Sequence, residues 1–207
     1  MKFLPLVLAV AIIFAGPPVL AQETISIRDE NIPGKLETFL IAIPKATLNK
    51  KVLAILESSG KATFTAIVAA DLDTKAKEKG VEVQFEEGNL KTAAYLDEDC
   101  LKRLEKSLGS LIKSQQYFTD HISEYSHQEL QVPDVTMAYN QLPGSDEHAD
   151  KAGIMAVGFY GHDGGFGLYF GVFWGRLHHS GQFYFPKASV SDLLKILQSA
   201  KPFLVAN

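Results

Sequence analysis

The chain has 207 residues, of which 46% are hydrophobic and 21% are charged, and its formal net charge is −4. This mild negative charge excludes the basic surface by which proteins bind nucleic acid or anionic lipid. A chain of this length buries enough apolar surface for a stable core, and its single cysteine, Cys100, excludes an intramolecular disulfide.

Residues 1–21 predict a signal peptide that is cleaved. Lys2 gives a positive start, residues 3–14 are apolar, and Val19-Leu20-Ala21 is a small-residue cleavage pattern. The apolar run is shorter than the roughly 20 residues that span a bilayer, so we expect no stable membrane insertion. An uncleaved anchor is the alternative. With one cysteine and no Asn-x-Ser/Thr sequon, the sequence favours a bacterial exported protein, periplasmic or secreted.

The residues that follow the signal peptide begin with a polar tether. Residues 22–34 predict this tether, and residues 36–43 fit either a helical stripe or an alternating strand. Thr47 is expected to cap a helix that ends at residues 58–60. The apolar stripe expected on that helix is Leu48, Val52, Ile55 and Leu56.

A strand, a loop and a hairpin are predicted next. Residues 62–70 alternate as a strand, and residues 71–80 predict an exposed loop. In residues 81–85 apolar side chains alternate with acidic or amide ones, which predicts one water-facing side. Gly88-Asn89 is a two-residue hairpin signal that leads into a partner strand over 90–96.

Two amphipathic helices have clear start signals. Asp97 is expected to cap the first helix. Ser189 and Asp192 form a capping-box pattern for the last helix, which Pro202 is expected to end. The expected buried positions of these helices are Leu101, Leu104, Leu108, Leu111 and Ile112 in the first, and Val190, Leu193, Leu194 and Leu197 in the last.

The stretch 153–185 is rich in glycine and aromatic residues. It predicts three antiparallel strands, over 154–160, 166–174 and 182–185, after a short strand over 135–139. One face of the middle strand alternates glycines with large rings, which lets another backbone or ring approach closely. That face comprises Gly167, Tyr169, Gly171, Phe173 and Gly175.

These elements predict an α+β fold in which antiparallel sheets are each closed by an amphipathic helix. We expect one domain over 35–207. Its halves, 35–115 and 116–207, each end in strands followed by a helix. This similarity indicates either a duplication or only the apolar spacing that all amphipathic helices share. The helix positions that align are Leu101 with Val190, Leu104 with Leu193, and Leu108 with Leu197.

The histidines carry the only candidate metal chemistry. His162 lies in the turn before the middle strand, and His178 and His179 lie in the turn after it, so roughly 30 Å of strand separates them. His148 is expected at the same end as His178 and His179. These three histidines, with Asp146 or Asp150, could form a metal site of a metal-dependent hydrolase. Solvated loop histidines are the alternative.

No catalytic signature occurs in the sequence. There is no G-x-S-x-G, no H-E-x-x-H, no phosphate-binding loop and no dinucleotide-binding motif, so we expect no cofactor and favour a non-enzyme. Cys100 is expected to be a structural thiol at a helix start. The carboxylates of Glu82, Glu86 and Glu87 are expected to face solvent and to serve solubility.

The aromatic residues of 153–185 suggest a binding function. The leading hypothesis is an exported, non-catalytic module that binds a partner protein or an apolar ligand through this aromatic–glycine sheet. The candidate binding residues are Tyr160, Tyr169, Phe173, Trp174 and Tyr184. The alternative is that these aromatic rings only fill the core and have no binding role. The other functions left open are the metal-dependent hydrolase and a structural envelope or assembly protein.

Overall fold

A computed structural model describes residues 34–43, 45–117, 127–132, 136–139, 153–162, 165–174 and 178–207. The predicted signal peptide, almost all of the predicted tether, and His148 lie outside these residues. Of the helices that the structure describes, none has the length and apolar content needed to cross a bilayer.

The described elements confirm an α+β fold, with helices and antiparallel strands in separate runs of the chain. In chain order they are α1 Lys35–Ala42, β1 Thr47–Glu57, β2 Lys61–Ala70, β3 Lys77–Glu87, β4 Leu90–Asp97, α2 Glu98–Tyr117, β5 His127–Val132, β6 Thr136–Tyr139, β7 Gly153–His162, β8 Gly165–Trp174, β9 His178–Phe185, α3 Val190–Gln198 and α4 Lys201–Ala206. The segment from Lys35, left open between helix and strand, is a helix.

The strands form two antiparallel sheets. The first has the order β1-β2-β3-β4-β6 and the second the order β5-β7-β8-β9. In each sheet, strands that are consecutive along the chain form hairpins, and a helix follows the last of them: α2 follows β4 and α3 comes after β9. Strand β6 departs from this division, because it comes from the second half of the chain and pairs with β4. The duplication stays a prediction.

The two sheets meet through phenylalanine rings. Phe85 of β3 lies 5.2 Å from Phe170 of β8 and 4.9 Å from Phe183 of β9, measured between ring centroids. Phe64 of β2 lies 6.2 Å from Phe170. All four rings are buried, and each contributes roughly 1.5–3 kcal/mol through removal of its apolar surface from water. The helix positions that align between the halves are buried in the same core.

Asp97 connects the first two helices to the first sheet. Its Oδ1 accepts a hydrogen bond of 2.8 Å from the backbone N–H of Cys100, which confirms the predicted cap of α2. Its Oδ2 accepts one of 3.1 Å from the backbone N–H of Lys35, at the start of α1. The Lys35 ammonium also pairs with Asp99 at 2.7 Å. Cys100 is buried in the core, as befits a structural thiol.

The helix predicted after Thr47 is wrong, because this segment is strand β1. A bulge shifts the pairing of β1 with β2 between Val52 and Ala54. The bulge inserts one extra residue, so Val52 and Ile55 lie on the same side of the strand although three positions separate them. A strand with this defect has the residue spacing of a helical stripe.

Two further boundaries differ from the prediction. Strand β3 begins at Lys77, so the loop predicted over 71–80 ends at residue 76. The capping box of Ser189 and Asp192 is present as predicted. The helix it starts ends at Gln198, however, and Pro202 lies in the first turn of α4, where its missing N–H costs nothing.

The side of β3 that was predicted to face water is covered at its centre. Glu82 is only 5% exposed. Helix α1 packs against β3 and β4, and its Leu36 lies beside Gly80, which is on the same side of β3 as Glu82. The expectation that Glu82 serves solubility is therefore wrong.

Candidate functional site

Tyrosines and glycines alternate on the outer face of the second sheet. Tyr169 of β8 pairs with Gly158 of β7 on one side and with Tyr184 of β9 on the other, while Tyr160 of β7 pairs with Gly167 of β8. Their sequence neighbours Phe159, Phe170, Phe183 and Phe185 belong to the core. Since side chains alternate along a strand, the three tyrosines lie on the face directed away from that core.

Gly167 lets the ring of Tyr160 lie across strand β8. A Cβ atom added at Gly167 would stand 2.6 Å from Cε1 and 2.8 Å from Cζ of Tyr160, closer than any side chain tolerates. The ring reaches Tyr184 on the far strand, at 5.0 Å between centroids and 81° between planes. Tyr184 also contacts Tyr169 at 5.2 Å. The glycine therefore allows three strands to share one tyrosine cluster.

The cluster is closed at its centre and open at its margin. Tyr169 is 0% exposed, and Gly167 and Gly171 are also buried. Tyr160 and Tyr184 are half-buried. We call these two residues the tyrosine rim. Beside them lies the exposed Gln182, whose Oε1 accepts a 2.9 Å hydrogen bond from the Tyr184 hydroxyl.

The structure brings together three of the predicted binding residues. Tyr160, Tyr169 and Tyr184 form the cluster. The backbones of Phe173 and Trp174 continue β8, and their side chains lie outside the described residues.

The predicted metal ligands fall mostly outside the described part of the chain. His148 is outside it altogether, and only the backbones of His178 and His179 are described. These two begin β9 rather than lying in a turn, with His178 paired to Trp174. His162 pairs with Gly165 at the opposite end of β8. His162 and the pair His178-His179 therefore lie at opposite ends of β8, as expected.

Among the described residues, no three or more His, Cys, Asp or Glu side chains lie close enough together to hold a metal ion. An open pocket of about 470 Å³ lies where two hairpins end in the first sheet. Its lining is polar, and two of its residues, Glu86 and Lys91, pair at 3.4 Å.

No protein-family model, no curated protein and no solved structure matches this chain. The function is therefore inferred from its own residues.

A polar cluster around the buried Glu82 of the first sheet was not predicted from the sequence. The Glu82 carboxylate accepts hydrogen bonds from the Tyr95 hydroxyl at 3.2 Å and from the Lys50 ammonium at 3.3 Å. Burial, and then the charge of Glu82, raises the pKa of Tyr95 above its ordinary value. Lys50 lies on β1 and Glu82 on β3, so this ion pair ties the outermost strand to the sheet across β2.

The hairpin signal could have revealed half of this cluster. A two-residue turn at Gly88-Asn89 fixes the register of β3 and β4, and that register places Glu82 directly opposite Tyr95. Lys50 could not be placed in the same way, because its segment was assigned to a helix.

Proposed function

We propose that this protein is an exported, non-catalytic module that binds a partner protein through the tyrosine rim, Tyr160 and Tyr184. Export rests on the signal-peptide pattern of residues 1–21. The non-catalytic character rests on the lack of any recognised catalytic motif in the sequence. The choice of surface rests on the geometry of the second sheet.

The observation that carries the proposal is a pair of half-buried tyrosine rings held edge to face at 5.0 Å. Tyrosine is enriched at protein interfaces, because it brings a large rigid ring and a polar end at a small cost in conformational entropy. Gly167 leaves room for the Tyr160 ring to lie across β8, where it packs against Tyr184. A preorganised aromatic pair loses little freedom when a partner binds.

The burial of Tyr169 supports a protein partner over an apolar small molecule. A small apolar ligand needs a concave site that covers most of its surface. The centre of the tyrosine face is filled, since Tyr169 is 0% exposed. The accessible part is a margin that carries Tyr160, Tyr184 and the polar Gln182, and a mixed aromatic and polar margin suits the surface of another protein.

Site-specific photo-crosslinking in the cell that makes the protein tests this proposal. A photoreactive residue replaces the exposed Gln182, and in a matched control it replaces Lys106, which is exposed on α2. We expect a discrete protein adduct from position 182 and none from position 106. The adduct should disappear when Tyr160→Ala and Tyr184→Ala are added, and it should persist with Tyr169→Phe, which keeps the buried ring.

The same experiment can refute the proposal. Equal adducts from both positions, or no adduct at position 182, would contradict a docking surface at the tyrosine rim. An adduct that survives the double substitution in a folded protein, as judged by circular dichroism, would assign the contact to another surface.

A further inference from the structure

We propose a second docking surface on the first sheet: the free edge of β1, over Thr47–Val52, accepts an extended acidic segment of another polypeptide as an added strand. This inference does not depend on the tyrosine rim, which lies on the other sheet.

Among the described strands, β1 is the outermost of its sheet. Among the described residues it pairs with β2 alone, so one row of its backbone N–H and C=O groups has no partner strand. An exposed edge of this kind is a template for pairing with a further strand. Peptide recognition by strand addition uses such edges, with backbone hydrogen bonds for affinity and side chains for selectivity.

Exposed apolar side chains line one side of this edge. By register Leu48 lies opposite Ala69, Val52 opposite Thr65 and Ile55 opposite Thr63, so all three are on one face of the sheet. Their exposed fractions are 43%, 57% and 49%. Single exposed apolar residues are ordinary. Before the bulge, however, Leu48 and Val52 lie on either side of Lys50 on this face, and an added strand can cover both apolar side chains.

The bulge limits the length of the docking segment. Regular pairing of β1 is interrupted between Val52 and Ala54, and bulges end the pairing of an edge with a further strand. The continuous part, Thr47 to Val52, has room for a segment of roughly 17–20 Å, the length of an average strand.

The charges of β1 select the kind of segment. Lys51 is exposed and forms no ion pair with a described residue, while the neighbouring Lys50 pairs with Glu82. Lys51 therefore gives this edge a positive charge that no described residue balances. An acidic side chain opposite Lys51 forms a favourable cross-strand pair, while apolar side chains on the other face of the same segment cover Leu48 and Val52.

The same lysines oppose the pairing of two copies of this chain. Antiparallel pairing that brings Leu48 against Val52 of a second copy places Lys50 directly opposite the second Lys50. Like charges in that position destabilise a strand pair. In that register the like charges disfavour a second copy, and the charge of Lys51 favours an acidic segment of a different polypeptide.

Fluorescence anisotropy with two labelled peptides tests the proposal on the purified protein. One peptide alternates Glu with Val, and its control alternates Lys with Val. We expect the Glu/Val peptide to bind more tightly, with an affinity that falls as salt rises. Lys51→Glu should weaken its binding about fivefold, the effect of one exposed charge pair, and should strengthen the Lys/Val peptide.

Matched variants locate the binding. Val52→Thr keeps the shape of the side chain and should weaken binding, whereas Leu72→Thr, at an equally exposed apolar residue in the loop before β3, should not. Tyr184→Ala should also leave it unchanged, so failure of this proposal and failure of the tyrosine rim are distinguishable. Bound peptide should slow hydrogen exchange in residues 47–52.

Three results would overturn the inference. The first is no binding of the Glu/Val peptide up to about 1 mM, the weak end of specific recognition. The second is equal binding of both peptides. The third is a dimer of the protein in sedimentation analysis that Val52→Thr dissociates, since it would assign the edge to a second copy.

Discussion

The edge-to-face pair of Tyr160 and Tyr184 should have a measurable coupling energy. Their centroid distance of 5.0 Å and interplanar angle of 81° match the arrangement that contributes about 0.5–1.5 kcal/mol beyond area burial. Both rings are half-buried, so we expect the lower part of that range, about 0.5–1 kcal/mol. A double-mutant cycle of Tyr160→Ala and Tyr184→Ala, measured by urea unfolding, isolates this quantity.

Gly167→Ala provides the control for that cycle. The added methyl group would stand 2.6 Å from Cε1 of Tyr160, so the ring must move off β8 and away from Tyr184. In the Gly167→Ala background the coupling should fall below about 0.3 kcal/mol, the limit of additivity for independent sites. A coupling energy below about 0.3 kcal/mol in the wild-type background would refute the packing described for the rim. A coupling energy that is the same with and without Gly167→Ala would also refute it.

Other predictions concern the elements that hold the sheets and helices. Gly80→Ala should destabilise the protein by about 1–3 kcal/mol in urea unfolding, because its Cβ would collide with the carbonyl oxygen of Leu96. Gly109→Ala should stabilise it by about 0.5–1 kcal/mol, since nothing lies near its Cβ on α2. Asp97→Ala should cost about 1–2 kcal/mol through loss of the cap of α2, and Asp97→Asn should cost much less; equal costs would contradict the capping role. The pKa of Tyr95 is raised in the folded state, so the unfolded chain loses this proton first and stability should fall above pH 10, the ordinary value of the group. Urea unfolding between pH 9 and 11 should show that the free energy of unfolding falls less steeply with pH in Tyr95→Phe than in the wild type. The difference between the two slopes should be less than about 1.4 kcal/mol per pH unit, because Tyr95 is partly exposed.

Local signals predicted the parts of the fold that local interactions determine. The hairpin at Gly88-Asn89, the cap at Asp97 and the capping box at Ser189 each depend on residues a few positions apart, and all three are present. The alternation of glycine and aromatic residues on β8 correctly predicted that a ring could approach the strand, and the ring is that of Tyr160.

The errors come from contacts between distant segments. β1 was assigned to a helix because its bulge changes the spacing of Val52 and Ile55, and only pairing with β2 shows that bulge. The prediction that Glu82 faces solvent was wrong, because the alternation of side chains along β3 cannot show that α1 packs against that strand. The burial of Tyr169 was equally hidden, because a strand pattern does not show what covers the sheet.

Calorimetric titration of the partner captured at position 182 tests the central claim, docking at the tyrosine rim, most directly. We predict that Tyr184→Ala weakens its binding at least about tenfold, the behaviour of an interface hot spot, while Tyr169→Phe changes it little. Equal affinities for the wild type and a folded Tyr184→Ala variant would contradict the claim.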